Sequence, residues 1–566
     1  MSNIDLIVLF GTLILIALIG IWQSRKQANL ESYLLGGKSL KWGTIGLSVM
    51  ATQASAITFI STPGQAYESG MGFVQNYLGL PIALVVVCAF FIPIYYRLKV
   101  YTAYEYLEKR FDLKTRLFGA FLFLVQRGLA AGITILAPSI IVSSILGWNL
   151  SLTILMVGVL VIIYTVSGGT KAVSITQKYQ MLIILFGMVV AFFVIINQLP
   201  DRVSFGDAVT MAGLAGKLDV IDFSFDFEKR YTFWSGILGG FFLSLSYFGT
   251  DQSQVQRYIS GKDTTESRMG LIFNALLKLP LQFFILFTGV MVFMFYQFNQ
   301  APIHFNKTNL DFLATTEYAE QSTTFEAWSD KYHKARMKGY ELIDQGIRRQ
   351  DTLSIQDGTA QVLGATIQIE EARKQMKNLI SKADPDRNIK DSDYVFLTFI
   401  MNEMPAGLIG LLIAVIFAAA MSSTAGELNA LASTSTIDYY KRLIKSNASE
   451  RHYLLASKLQ TLGWGIFAIT FALFATSAEN LIEGINILGS LFYGTILGLF
   501  LVGFFMHKIS GTAVFVGALV AQVAVLGCHF ATISGYLQIG YLWYNAIGLL
   551  IVVIVGWLVQ LVMGDK

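Results

Sequence analysis

Apolar runs of about 18 residues or more, each long enough to cross a bilayer core as a helix, recur along most of the chain. Thirteen candidate spans begin near residues 4, 42, 72, 116, 150, 173, 232, 268, 405, 451, 480, 511 and 540. Soluble cores do not repeat such a pattern, so the chain reads as an all-α polytopic membrane protein. An odd number of spans puts the two termini on opposite faces. The first run exceeds a signal-peptide core and no small-residue cleavage site follows it, so it is kept as a helix. One segment breaks the pattern: residues 300–395 mix charges of both signs with apolar residues at roughly helical spacing, notably over 325–349 and 367–382. It predicts a soluble helical hairpin turning near Asp357 and Gly358. The insertion separates a membrane block over 1–299, with eight spans, from one over 396–566, with five. It is either a lid or partner site, or a solvated cap.

Basic residues in the short loops set the orientation. Arg25, Lys26, Lys38 and Lys41 follow the first span, and Arg97, Lys99, Lys109, Arg110, Lys114 and Arg116 follow the third. Arg257, Lys262 and Arg268, then Lys441, Arg442 and Lys445, fall on the same side. That side is the cytoplasm, which places the N-terminus and the insertion outside and the C-terminus inside. Asn306-Lys307-Thr308 is then a glycosylation acceptor pattern on the outer face.

Composition agrees: 54% of residues are hydrophobic and 14% charged, with 50 Gly, the profile of a bilayer protein of the cell membrane. The net charge of +4 is a sum over two faces and points to no nucleic-acid partner. Cys88 and Cys528 lie in apolar sequence without metal or redox spacing. No zinc-protease motif, nucleophile elbow or phosphate loop is present, so the chain is read as a non-enzyme without an organic cofactor.

Two runs have the character of an ion site. In the second span, residues 48–70 (SVMATQASAITFISTPGQAYESG) gather small and hydroxyl residues ahead of Pro63 and Gly64. Backbone that leaves the helix at mid-membrane depth exposes carbonyls able to replace an ion's hydration shell; small residues alternatively permit close helix packing. The ninth span, AAAMSSTAGELNALASTST over 418–436, sets Ser422 beside Ser423. Hydroxyl and carbonyl oxygens suit sodium, a hard monovalent cation. Arg127, Lys278 and Glu427 sit where a charge costs about 2.5–3.5 kcal/mol or more. For Arg127 the readings are an anionic solute or an internal ion pair; for Lys278, a cavity position or a packed stem.

Four ordered runs resemble the sodium/solute symporter family, whose members carry sugars, sialate, proline, monocarboxylates and iodide. They are LLGGKSLKWGTIGLSVMATQASAITF (34–59), SGGTKAVSITQKYQ (167–180), YFGTDQSQVQRY (247–258) and PAGLIGLLIAVIFAAAMSSTAGELNALASTSTIDYYKR (405–442). The resemblance implies a LeuT-like fold of 5+5 inverted repeats running from the second to the eleventh span, with one helix before it and two after. It implies sodium as coupling ion, held by the carbonyls of Ala51, Ala54 and Ala419 and the hydroxyls of Ser422 and Ser423. Some relatives hold a second sodium on an aspartate and eighth-helix hydroxyls; Gln177, Ala425 and Gly426 depart from that pattern, so one sodium per solute is expected. Lys178 paired with Glu427 is the expected substitute for the missing ion, unless Lys178 is a cytoplasmic anchor.

The same resemblance implies substrate positions, but they point two ways. Ser55, Thr58 and Arg127 resemble the positions that hold an acidic sugar in sialate carriers, whereas Lys278 resembles a lysine that meets a hydroxyl in sugar carriers. Gln53, Gln75, Asn76, Ser244 and Tyr247 complete the expected lining, Tyr247 resembling an inner-gate tyrosine. The implied activity is sodium-coupled symport of a small sugar, sugar acid or carboxylate by alternating access. The alternative is proton coupling with Lys178, Glu427 or Asp251 as the titrating group. A sensor would need a signalling domain after the last span, and none is expected.

Overall fold

The computed structural model describes residues 2–24, 30–53, 56–201, 203–385, 387, 389–475 and 481–564. Among them the architecture is helical, with no strand beyond an isolated bridge between Leu40 and Gly261. The first helices are α1 (Asn3–Ser24), α2 (Trp42–Gln53), α3 (Ala56–Ser69) and α4 (80–98, with a π-turn at Val87–Phe91). They are followed by α5 (Leu113–Leu146), α6 (Leu150–Asn197), α7 (Ser235–Gly249), the short α8 (Gln252–Ile259) and α9 (Thr264–Phe298). Nine described helices are long and apolar enough to cross a membrane, and shorter apolar segments over Asn3–Thr12, Leu150–Ile163 and Ser235–Gly249 accompany them. The runs expected from 150 and 173 form one continuous helix, broken only where Gly169 takes φ 62°. Polar caps set the true starts: Asp112 accepts from Thr115 N at α5, and Asp263 from Glu266 N at α9.

After α9 come the insertion helices α10 (Ala319–Arg349) and α11 (Thr352–Ala383), then α12 (Ser392–Glu403) and α13 (Leu408–Thr434). The last four are α14 (Glu450–Phe474), α15 (Leu481–Phe505), α16 (Gly511–Ile533) and α17 (Trp543–Met563). The hairpin turns at Gln350, in the left-handed region (φ 55°), and Asp351, which caps α11. The expected turn at Asp357 and Gly358 is therefore corrected. Gly358 lies inside α11, where a Cβ would stand 2.6 Å from the Gly339 carbonyl oxygen, so that glycine serves close helix crossing. The hairpin is docked rather than dangling: Arg336 donates to the Tyr296 carbonyl at 2.9 Å, and Arg373 and Lys377 each meet Asp391 at 2.8 Å.

The outward faces of α1 and α17 carry Ile7, Phe10, Leu550 and Leu561 at more than half exposure, whereas hydroxyls and amides turn inward. Inside, Thr134, Ser139, Thr165 and Thr424 donate to the carbonyl four residues back, the local way to satisfy a hydroxyl away from water. Contact between α3, α9 and α12 is very close. A Cβ on Gly64 would lie 2.0 Å from the Ser392 carbonyl oxygen, and one on Gly289 2.3 Å from that of Pro63.

Candidate functional site

The second span is described as α2, up to Gln53, and α3, from Ala56 onward. Polar bonds lash the end of α2 to two neighbours. Ser423 on α13 donates its hydroxyl to the Ala51 carbonyl at 3.3 Å. Gln177 on α6 accepts from Ser48 at 2.5 Å and donates to the Thr52 hydroxyl at 3.1 Å. Farther along α13, Asn429 donates to Thr170 of α6 at 2.7 Å. Ala419 is buried one turn before Ser423, on the same face. Ala51, Ala419 and Ser423 thus belong to one α2–α13 contact that offers oxygens and no fixed charge. Ala54 and Ser55, like the side chain of Ser422 and the basic pair Arg25 and Lys26, lie outside the described residues.

Beside that contact lies a partly open cavity. Gln53, Thr58, Asn76, Arg127, Ser244 and Tyr247 all line it, from four stretches far apart in sequence. Tyr77, Leu243, Ile482 and Ile485 supply apolar wall. Thr52, Thr134, Asn486 and Tyr493, which were not among the expected positions, join the polar lining, as does Glu427, expected instead as the partner of Lys178.

Arg127 is held by charges of the protein itself. Its guanidinium donates to Glu427 at 3.0 Å, to Tyr493 at 2.6 Å and to Asp251. Tyr493 donates its own hydroxyl to Asp251 at 2.8 Å, and Asp251 also accepts from the backbone and hydroxyl of Ser253 at 2.8 and 2.7 Å. The Tyr247 ring lies 5.5 Å from the guanidinium carbon, and its hydroxyl accepts from Gln254 at 2.5 Å. Arg127 thus forms an internal ion pair at the cavity wall.

Other expected residues fall elsewhere. Gln75 is a structural brace: its amide donates to the Tyr231 carbonyl at 3.1 Å and accepts from Asp222 N at 2.9 Å. Lys278 is fully buried on α9 behind Tyr77, with Nζ 5.4 Å from that ring's centre and no hydrogen bond among the described residues. The expected Lys178–Glu427 pair is not formed. Glu427 pairs with Arg127, and the half-buried Lys178 places its ammonium 5.7 Å from the Tyr179 ring centre. Arg257, counted above among loop cations, is 1% exposed; it donates to Ser174 at 3.3 Å, and a Cβ on Gly426 would lie 2.0 Å from its Nη2.

The sequence profile described as the sodium:solute symporter family matches residues 33–311 and 382–521. Among individual relatives, the sodium/sialic acid symporter SiaT of Proteus mirabilis is 28% identical over 98% of this chain and 94% of its own. The sodium-coupled monocarboxylate transporter 2 of Mus musculus is 30% identical, over 48% of this chain and 44% of its own. A solved substrate-bound, outward-open structure of a sodium-coupled sialic acid symporter superposes with a TM-score of 0.74 at 27% identity, covering 100% of this chain and 99% of that one.

Proposed function

The chain belongs to the sodium:solute symporter family, and on that premise we propose that it carries a small organic solute, a sugar or sugar acid, inward with one sodium by alternating access. Sodium-coupled solute symport is common to the relatives it matches; the solute class, the stoichiometry and the residues are our reading. The observation that carries it is the hydroxyl bond from Ser423 to the Ala51 carbonyl beside a polar cavity.

In this reading sodium enters between those two oxygens, joined by the carbonyls of Ala54 and Ala419 and the hydroxyl of Ser422. It displaces the Ser423 proton from Ala51 and ties the broken helix to α13. Gln53, Thr58, Asn76 and Ser244 face the solute, with Tyr247 at the inner end and Ser55 beside them. The frame is a LeuT-like inverted repeat that rocks around this site, with the N-terminus and the 300–395 insertion outside. Because the ion bridges the two elements that also shape the cavity, binding of sodium and solute must strengthen each other equally. A membrane potential adds about 2.3 kcal/mol per charge moved across 100 mV.

The absence of the aspartate and hydroxyls of the second ion position supports one sodium: Gln177 is engaged with Ser48 and Thr52, and a guanidinium already lies against Gly426. A thermal-stability screen of purified protein against sugars, sialic acid and small carboxylates, in sodium and in potassium, tests the reading. Stabilisation by one ligand only in sodium supports it; stabilisation indifferent to sodium moves the proton-coupled alternative into its place.

A further inference from the structure

We propose that Glu427 is a specificity-determining residue that reserves the cavity for a solute bringing hydrogen-bond donors without negative charge, a neutral polyhydroxylated ring or its amine-bearing counterpart. This rests on the solute-binding role of the cavity given above. In the Arg127 cluster, one guanidinium faces two carboxylates, which leaves one formal negative charge. The two carboxylates are not equivalent. Asp251 is saturated by Arg127, Tyr493 and Ser253 and does not line the cavity. Glu427 does line it, is 5% exposed, and spends only Oε1 on Arg127.

Its second oxygen, Oε2, has no hydrogen-bond partner among the described residues. The adjacent Thr134 hydroxyl, bonded to the Ala130 carbonyl at 3.1 Å, also lies within reach of the Glu427 carboxyl. A buried carboxylate oxygen without a donor is costly, and a donor arriving with the solute removes that cost. Two further acceptors on the same wall are also unmet, Gln53 Oε1 and Asn76 Oδ1. The cavity therefore presents acceptors, while the cation within it is matched by carboxylates, only its Nε–H remaining without a partner. An incoming carboxylate would meet Glu427 in a low-dielectric space, where like charges repel most strongly. A hydroxyl or ammonium would satisfy it.

Three rings of equal size separate the cases: glucose (neutral), glucosamine (cationic) and glucuronate (anionic), with N-acetylneuraminate as a second acid. Binding to detergent-purified full-length protein is followed by thermal shift in sodium and in potassium, for wild type and Glu427→Gln. The expected result is a response of the wild type to glucose or glucosamine and to neither acid, weakened about tenfold or more in Glu427→Gln, the scale of a hydrogen bond to a charged group. Glucosamine preferred over glucose identifies an ammonium as the donor; the reverse identifies hydroxyls. A wild-type response to either acid overturns the proposal, as does the absence of any response to both donor-bearing rings or an unaltered response in Glu427→Gln. The comparison among ligands on wild type stands even if the variant fails to fold. A sodium-dependent response to an acid leaves symport intact and removes the role of Glu427; a glucose response equal in sodium and potassium does the opposite.

Discussion

Ser423 and Arg127 illustrate how far a single residue can be read. Ser423 was legible because two adjacent hydroxyls among alanines have few uses in hydrocarbon other than oxygen ligation or packing. Its Oγ proton points at the Ala51 carbonyl, and in the proposed ion site Ser423→Ala removes a ligand without stranding a charge. The sodium concentration giving half-maximal thermal stabilisation should rise by about tenfold or more, with the melting temperature in potassium unchanged. Arg127 was legible only as an expensive charge. That its partners are Glu427 and Asp251 follows from opposite signs at membrane depth, but 300 residues separate Arg127 from Glu427, and pairing across such a span is a property of the fold. Tyr493 gave no signal, being one aromatic in an apolar run. Arg127→Ala leaves two buried carboxylates without their cation and should destabilise the protein by about 3–5 kcal/mol, read as a lower melting temperature. Adding Glu427→Gln to that variant should recover part of the loss.

At the scale of elements, the sequence marks helices well and their contacts poorly. Small residues in the second span indicated a break or a close approach, and the close approach is present: Gly64 presses on the Ser392 carbonyl. Gly64→Ala has no room and should lower the melting temperature, by about 1–3 kcal/mol in stability. Gly364→Ala, on the exposed face of α11 with nothing within 4 Å, should leave it level or raise it, because alanine favours a helix by about 0.8–1 kcal/mol over glycine. The hairpin turn was misplaced for a related reason. Gly358 was read as punctuation, whereas its missing Cβ lets α10 and α11 touch, and Gln350 carries no turn signature.

Across the whole molecule, the α10–α11 hairpin is held to the start of α12 by an ionic cluster around Asp391. Burial opposes ionisation of Asp391, yet Arg373, with His304 and Lys377, holds its carboxyl well below the ordinary range. That fastening is therefore retained in all but strong acid. His333 behaves differently: burial, with Arg336 beside it, pushes its pKa down to about 4, and its neutral ring faces the Arg336 guanidinium at 3.1 Å. A histidine depressed from its ordinary value of about 6.5 contributes full stability above that value and loses it as pH falls toward 4. Limited proteolysis of the hairpin should therefore accelerate between about pH 6.5 and 4, and His333→Gln should flatten the dependence in that window. No such pH response could be foreseen from the sequence, where His333 is one polar residue on a charged helix.

Coupled transport by the whole molecule is tested most directly in proteoliposomes, by imposing an inward sodium gradient with no proton gradient and following the responsive sugar together with labelled sodium. The account predicts accumulation of the sugar above its outside concentration, one sodium entering per solute, and collapse when a sodium ionophore is added. Accumulation driven instead by a pH gradient in sodium-free medium would contradict it.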